Sequence, residues 1–242
     1  MFAPYLGQQL LTDLRHFCDS LSDINYTETK LKSDNTFVTE IDTKISGFFK
    51  HHATAKGYHF YSEEEHTTLQ FPALILDPID GTRELVAGRA ECAVSAAFMN
   101  SPKLSDGHAL ILNPFTGFSL SSFDKASWVP QKINRRPLGL VSRSEWESKI
   151  FSTKAGEFDL IPRGSVAFKL ALLASGAADF VVSLRPKNIW DIAAGTMLCH
   201  QRGIQLWSAD TRLAELSQET YSAPLIWCRP ELRTTLSEIF LA

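Results

Sequence analysis

Asp77-Pro78-Ile79-Asp80-Gly81-Thr82 is the stretch whose reading decides this chain. Directly before it, Ala73-Leu74-Ile75-Leu76 is an apolar run of strand length, the pattern of a buried strand. Pro78 fixes its own φ near -65° and removes one backbone donor. Gly81 permits a left-handed or close-approach conformation immediately after Asp80. Two carboxylates are thus held in one tight turn. Ionised Asp77 and Asp80 repel each other at such range, so a rigid strand end that brings them together suggests a divalent cation between them. Thr82 stands where a helix would begin, with amide and hydroxyl donors suited to a phosphate or a water.

Upstream of that turn, Tyr58-His59-Phe60-Tyr61 reads as a strand running into Ser62-Glu63-Glu64-Glu65. A run of three glutamates is ordinarily a solvated face. If the two strands are neighbours, however, Glu63 at the end of one lies near Asp77 at the end of the next. Asp42 opens a helix expected from about Thr39 to Lys56-Gly57, with Ile41, Ile45, Phe48 and Phe49 on one side. An acid at a helix start is favourable by itself. The same holds for Asp191 in Trp190-Asp191-Ile192-Ala193-Ala194-Gly195, an N-cap or first-turn position of a helix running to about Gln201. Ala193, Ala194 and Gly195 would let that helix approach another element closely.

The remaining pattern divides the chain. A packing helix is expected over about Tyr5 to Leu21, then a loop or short hairpin from Lys30 to Thr39 around Lys32-Ser33-Asp34-Asn35. Cys92 to Met99, His108 to Leu112 and Phe118 to Phe123 read as strands of an antiparallel sheet, the last two joined by Asn113-Pro114-Phe115-Thr116-Gly117. Basic, proline-bearing residues Lys132 to Pro137 would mark a join. From Leu138 the reading alternates: strand to Val141, helix from Ser144, strand Phe158 to Ile161, helix Ser165 to Ala174, strand Asp179 to Val182. A strand and an amphipathic helix close the chain from Leu225. The domain reading is therefore an N-terminal α+β half over residues 1–132 and a C-terminal α/β half over 133–242, packed as one unit.

Composition bounds the rest. The chain has 242 residues, 44% hydrophobic and 21% charged, with ample material for a core. A net charge of -3 provides no basic footprint for a nucleic-acid polymer or an anionic membrane. Cys18, Cys92, Cys199 and Cys228 form no CxxC pair and read as small buried groups in a reducing cytoplasm. No signal peptide and no membrane span are expected.

Four blocks in this order, Val38-Thr39-Glu40-Ile41-Asp42, Ser62-Glu63-Glu64, Asp77 to Thr82 and Trp190 to Gly195, make the sequence resemble the inositol monophosphatase superfamily, lithium-sensitive and magnesium-dependent phosphatases. The resemblance covers nearly the whole chain. It implies a five-layered αβαβα sandwich, the α/β fold shared with fructose-1,6-bisphosphatase, with the site where the halves meet. It also implies two or three Mg²⁺ ions, lithium inhibition, and a monomer or homodimer. By carry-over, Glu63, Asp77 and the Ile79 carbonyl bind one ion, while Asp77, Asp80 and Asp191 bind a second. Thr82, hydrogen-bonded to Asp42, and Glu63 would orient the attacking water and take its proton. The amides of Gly81 and Thr82 would hold phosphate oxygens. Oxygen-only ligands suit Mg²⁺, which keeps several waters and takes substrate phosphate as a further ligand.

The small phosphorylated substrate is read from the second half. Relatives acting on inositol monophosphate carry a Glu where this chain has Leu184, and Asn or Asp where it has Lys169. Ser142-Arg143-Ser144, Gly164-Ser165 with Lys169, and Asn188-Ile189-Trp190-Asp191 resemble instead the branch that removes the 3′-phosphate from 3′-phosphoadenosine 5′-phosphate. Arg143 or Lys169 would take the second phosphate. Inositol 1-phosphate and fructose 1,6-bisphosphate are alternatives on the same site, and a non-catalytic binding relative is a further one. Two departures stand out. Arg83-Glu84-Leu85 follows the DGT motif where the family ends with Phe, and Gln201-Arg202-Gly203-Ile204 replaces the customary EAGG and is expected to reshape a loop beside the site.

Overall fold

The computed structural model describes residues 4–20, 29–31, 37–124, 135–151 and 158–240. Residues 32–35 and 132–134, read above as part of a loop and of a join, lie outside them. Helix α1 (Pro4–Asp19) precedes a short antiparallel pair, β1 (Thr29–Leu31) and β2 (Phe37–Thr39), and α2 (Glu40–Ala55) follows. A first sheet is then laid down as β3 (His59–Ser62), β4 (Ala73–Asp80), β5 (Ala93–Met99), β6 (Gly107–Leu112) and β7 (Ser119–Ser121), in spatial order, with α3 (Thr82–Val86) between β4 and β5. β3 and β4 are parallel and the remaining pairs antiparallel. The parallel register places Ser62 opposite Leu76, which brings Glu63 to the same sheet end as Asp77.

The second half supplies β8 (Leu138–Ser142), α4 (Arg143–Glu147), β9 (Asp159–Arg163), α5 (Val166–Ser175), β10 (Phe180–Ser183), β11 (Lys187–Asn188) and α6 (Ile189–His200). It continues with β12 (Gln205–Ser208), β13 (Thr211–Leu213), β14 (Thr220–Tyr221), β15 (Leu225–Cys228) and α7 (Arg233–Phe240). Its six-stranded sheet has the order β13-β12-β15-β10-β8-β9. β8 runs parallel to both neighbours, whereas β15 is antiparallel to β10 and β12. The β12–β13 hairpin and the β11–β14 pair carry no clear signal in the sequence, because such two- to four-residue strands are too short to show a period.

Three apolar clusters separate five layers. Leu74, Leu76, Leu110 and Leu112 on one face of the first sheet pack on Leu10 and Leu14 of α1 and Ile41, Ile45 and Phe49 of α2. Ala73, Ile75, Ala109 and Ile111, at the alternate positions, face α5 and α6, whose other side meets Leu140, Val181, Leu206, Leu225 and Trp227 of the second sheet. Phe180, Val182, Ile226 and Cys228 on the far face of that sheet pack on Leu236 and Phe240 of α7. The order is therefore αβαβα. Because α6 lies between two sheets, it is buried from Ile192 to Cys199 all the way round, which explains its almost wholly apolar sequence. Gly195 is what allows this, since a Cβ there would lie 2.4 Å from Cβ of Leu170 on α5.

Candidate active site

Each acidic side chain reaches the junction for a local reason. β4 ends at Asp80, and its pairing with β5 shifts between Asp77 and Asp80, so both carboxylates point into one cleft although they are three residues apart. Gly81 follows at φ 97°, and a Cβ on it would lie 2.8 Å from the carbonyl oxygen of Glu91 and 3.1 Å from Cβ of Ser165. Only glycine fits that turn. Asp191 lies in the first turn of α6, where its Oδ2 accepts from the amide of Asn188 at 3.1 Å. The Ser95 hydroxyl donates to Trp190 O at 3.2 Å, tying that turn to β5. His66 links the Glu63 strand end to the same helix: its Nδ1 is 3.0 Å from Ser62 O and its ring centroid is 4.8 Å from that of Trp190.

Oxygen atoms of Asp77, Asp80 and Asp191 all lie within 4.8 Å of one another at the floor of a cleft of about 640 Å³. Asp80 Oδ2 accepts from the Ser165 hydroxyl at 2.8 Å and from the Ala167 amide at 2.6 Å, a cap donated by the other half. Ser165 is held at φ 49° to do this while its hydroxyl also accepts from Phe168 N at 2.9 Å. A non-glycine residue in that region stores strain, and such strain concentrates at functional sites. Asp77 is 1% exposed, and its Oδ1 has no hydrogen-bond partner among the described residues. Burial, then Glu63, Asp80, Asp191 and Asp42, push its carboxyl well above the usual carboxylate range. Burial, then Asp80, push Asp191 up to about 7, with Lys187 opposing the rise.

A buried carboxylate oxygen with no donor, facing two more carboxylates, is unfavourable unless a proton or a cation intervenes. The donor set is all oxygen, which fits a hard divalent ion. Glu63, Asp77, Ile79, Asp80 and Asp191 all line the cleft, together with Gly81, Thr82, Arg143, Gly164, Ser165 and Lys169. Asp42 is buried in the first turn of α2, close enough for its charge to act on Asp77. The glutamate run is divided: Glu63 faces the cleft, whereas exposed Glu65 pairs with Lys50 at 2.6 Å.

Several local partners differ from those the sequence implied. The Thr82 hydroxyl donates to Ile79 O at 2.9 Å rather than to Asp42, because a hydroxyl at a helix start finds the carbonyl three residues back within reach. Lys169 is 1% exposed and donates to the carbonyl oxygens of Arg163, Gly164 and Ser165, at 3.2, 3.4 and 2.9 Å. Burial lowers its pKa to about 8. Arg143 is gripped by Glu84 at 3.2 Å and Glu91 at 2.5 Å. Glu91 also accepts from Arg163 at 2.8 Å and from the Gly164 amide at 2.7 Å. Glu91, Arg163 and Lys187 carried no signal in the sequence, since none of them belongs to a motif block. The Gln201-Arg202-Gly203-Ile204 segment is not beside the site: it follows α6 at the end opposite Asp191, roughly 16 Å away at 1.5 Å per residue. There Arg202 donates to Leu198 O and Ser121 O. Leu85 is buried in the cluster under α2, where an apolar residue of either kind would serve.

The molecule is a layered α/β sandwich with a carboxylate-floored cleft whose oxygen donors suit a hard divalent ion. The sequence matches the inositol monophosphatase family over residues 7–237, and the chain belongs to that family, whose members are Mg²⁺-dependent phosphatases. It is 28% identical over 192 residues to the 3′(2′),5′-bisphosphate nucleotidase CysQ of Haemophilus influenzae, covering 70% of this chain and 71% of that protein. A Thermotoga maritima IMPase superposes with a TM-score of 0.77 at 19% identity, covering 96% of this chain and 93% of the other. An IMPase/NADP phosphatase complexed with Mg²⁺ and phosphate superposes at 0.76 and 15% identity, covering 97% and 94%. These likenesses bear out the fold read from the sequence. All four cysteines are free, and among the described residues no helix is long and apolar enough to cross a membrane.

Proposed function

We propose that this protein hydrolyses a small phosphomonoester, 3′-phosphoadenosine 5′-phosphate in first place, with Glu63, Asp77, the Ile79 carbonyl, Asp80 and Asp191 holding two or three Mg²⁺ ions. The carrying observation is the convergence of three carboxylates within 4.8 Å around a buried oxygen that lacks a donor. Bound Mg²⁺ supplies charge for the phosphoryl oxygens and an acidified water. The chain's own residues do the rest. Glu63, at a strand end fixed by the hydrogen bond its backbone amide donates to Leu76 O at 3.1 Å, orients the attacking water and accepts its proton. Thr82 and Asp42 support that water from the turn and from α2. The amides of Gly81 and Thr82 donate to the phosphate, and Gly164, Ser165 and Lys169 shape the wall opposite. Ser165 and Ala167 keep Asp80 in one rotamer, so the ligand set needs little rearrangement.

Two facts support the bisphosphate nucleotide over inositol 1-phosphate. The curated relative is a bisphosphate nucleotidase by name. Leu184 is packed in the outermost core beneath α7, so that position contributes no carboxylate for ring hydroxyls. The two halves, 1–132 and 133–242, act as one unit in this reading, in the cytoplasm. Phosphate release from 3′-phosphoadenosine 5′-phosphate, inositol 1-phosphate and fructose 1,6-bisphosphate, with and without Mg²⁺, tests it. The nucleotide should give the highest kcat/KM, and only with the metal. Preference for inositol 1-phosphate would overturn the substrate, and absence of metal-dependent turnover would overturn the activity.

A further inference from the structure

Six cations line the cleft: Arg83, Arg89, Arg143, Arg163, Lys169 and Lys187. Four are held by the protein itself. Arg89 pairs with Glu84 at 3.0 Å, Arg143 sits between Glu84 and Glu91, Arg163 is on Glu91, and Lys169 is caged by three backbone carbonyls. Their positive charge is largely answered before any ligand arrives. The side chains of Arg83 and Lys187 make no hydrogen bond or ion pair with the described residues. Arg83 is exposed on α3, where water solvates it at little cost. Lys187 is different, because it is half-buried.

The position of Lys187 is also set more firmly than that of an ordinary surface lysine. Its strand β11 pairs with β14, Lys187 opposite Tyr221. The next residue, Asn188, donates its amide to Asp191 and accepts at Oδ1 from the Thr220 hydroxyl at 3.1 Å. The backbone that carries the ammonium is thereby tied to one of the carboxylates at the cleft floor. The Lys187 charge acts on Asp191 at the floor, yet its ammonium has no ion pair among the described residues, so a half-buried cation lining the cleft is left able to meet a bound anion.

We propose that Lys187 binds the anionic group of the substrate that is not hydrolysed, so that this enzyme selects small phosphomonoesters bearing a second phosphate. The inference rests on the phosphomonoesterase reading above, and it assigns to Lys187 the role that the sequence suggested for Arg143 or Lys169. Lysine suits this use, since it meets a phosphate as a point charge and does not need bidentate geometry.

The test compares two substrates that share the scissile group, 3′-phosphoadenosine 5′-phosphate and adenosine 3′-monophosphate, at saturating Mg²⁺. Loss of one charge-assisted contact in Lys187→Ala should raise KM for the bisphosphate about tenfold to hundredfold. KM for the monophosphate should stay within about twofold. Inhibition by adenosine 5′-monophosphate should weaken in parallel, and Lys187→Arg should keep most of the discrimination. Equal KM changes for both substrates in Lys187→Ala, and likewise in Lys187→Gln with wild-type melting behaviour, would overturn the proposal. Mg²⁺-independent turnover by the wild-type protein would remove the metal-dependent reading, and absent turnover the phosphatase reading itself, each a distinct result.

Discussion

The floor and the rim of the cleft solve the same electrostatic problem in opposite ways. At the floor, Asp77, Asp80 and Asp191 crowd together, and the protein supplies Asp80 and Asp191 with a few amide and hydroxyl donors but gives Asp77 Oδ1 none. At the rim, Glu84 and Glu91 are matched by Arg89, Arg143 and Arg163. Backbone hydrogen bonding and the two arginines hold the Glu91 carboxyl below the usual range against the opposing effect of burial. An internally satisfied cluster ties parts of the structure together; an unsatisfied one is completed from outside. On this comparison the floor is built for a cation, and the rim is built to clasp the corner at Gly164 against the Asp80 turn.

Breaking the floor should have the largest effect on activity and little on folding. Asp80→Asn keeps the shape and the acceptor for Ala167 N but removes a ligand charge, so metal-dependent phosphate release should fall by about a thousandfold or more. A melting temperature within a few degrees of wild type should accompany that loss. Retained turnover would remove Asp80 from the ligand set.

The pH dependence sharpens the same contrast. A carboxyl whose folded pKa lies above its unfolded value near 3.9 contributes its full share of stability below about pH 4. That share is lost as pH rises, through about 7 for Asp191. Asp77 shifts in the same direction. Protons and Mg²⁺ compete for these oxygens. The rise in Tm produced by Mg²⁺ should therefore be larger at about pH 8 than at about pH 5.5, measured by thermal melts at matched ionic strength. A stabilisation independent of pH would place the metal elsewhere.

Breaking the rim should show the converse at the smallest scale. Glu91→Gln removes the carboxylate shared by Arg143, Arg163 and the Gly164 amide and should cost about 2 kcal/mol of stability. The Mg²⁺-induced shift in Tm should survive. Loss of that shift with an unchanged Tm would mean that rim and floor are not separate devices.

Much of this arrangement was legible one segment at a time. The strand into Asp77 and the helix of Asp191 follow from apolar period and turn chemistry, which act within a few residues, whereas the sequence left the pairing that brings Glu63 to Asp77 as a condition and the parallel β3–β4 register meets it. The hairpin option for the segment around residues 29–39 and the alternation after Leu138 appear in the fold as expected. What could not be read was pairing across the halves. Arg143 and Lys169 looked like free cations in the sequence, yet a charge's partners are decided by what folds against it. Glu91 and Arg163 are separated by 72 positions and meet only in three dimensions.

The amino-acid sequence alone determined the strand into the Asp77–Thr82 turn and the helix of Asp191, because a buried strand, a glycine turn and a capped helix are enforced by neighbours in the chain, while the five layers were implied by the family resemblance and are borne out by the fold. Tertiary structure alone decided which charges remain unanswered. Ion pairing depends on distance and desolvation between remote segments, so only tertiary packing could separate Lys169, caged by three carbonyls, from Lys187, whose ammonium has no ion pair among the described residues.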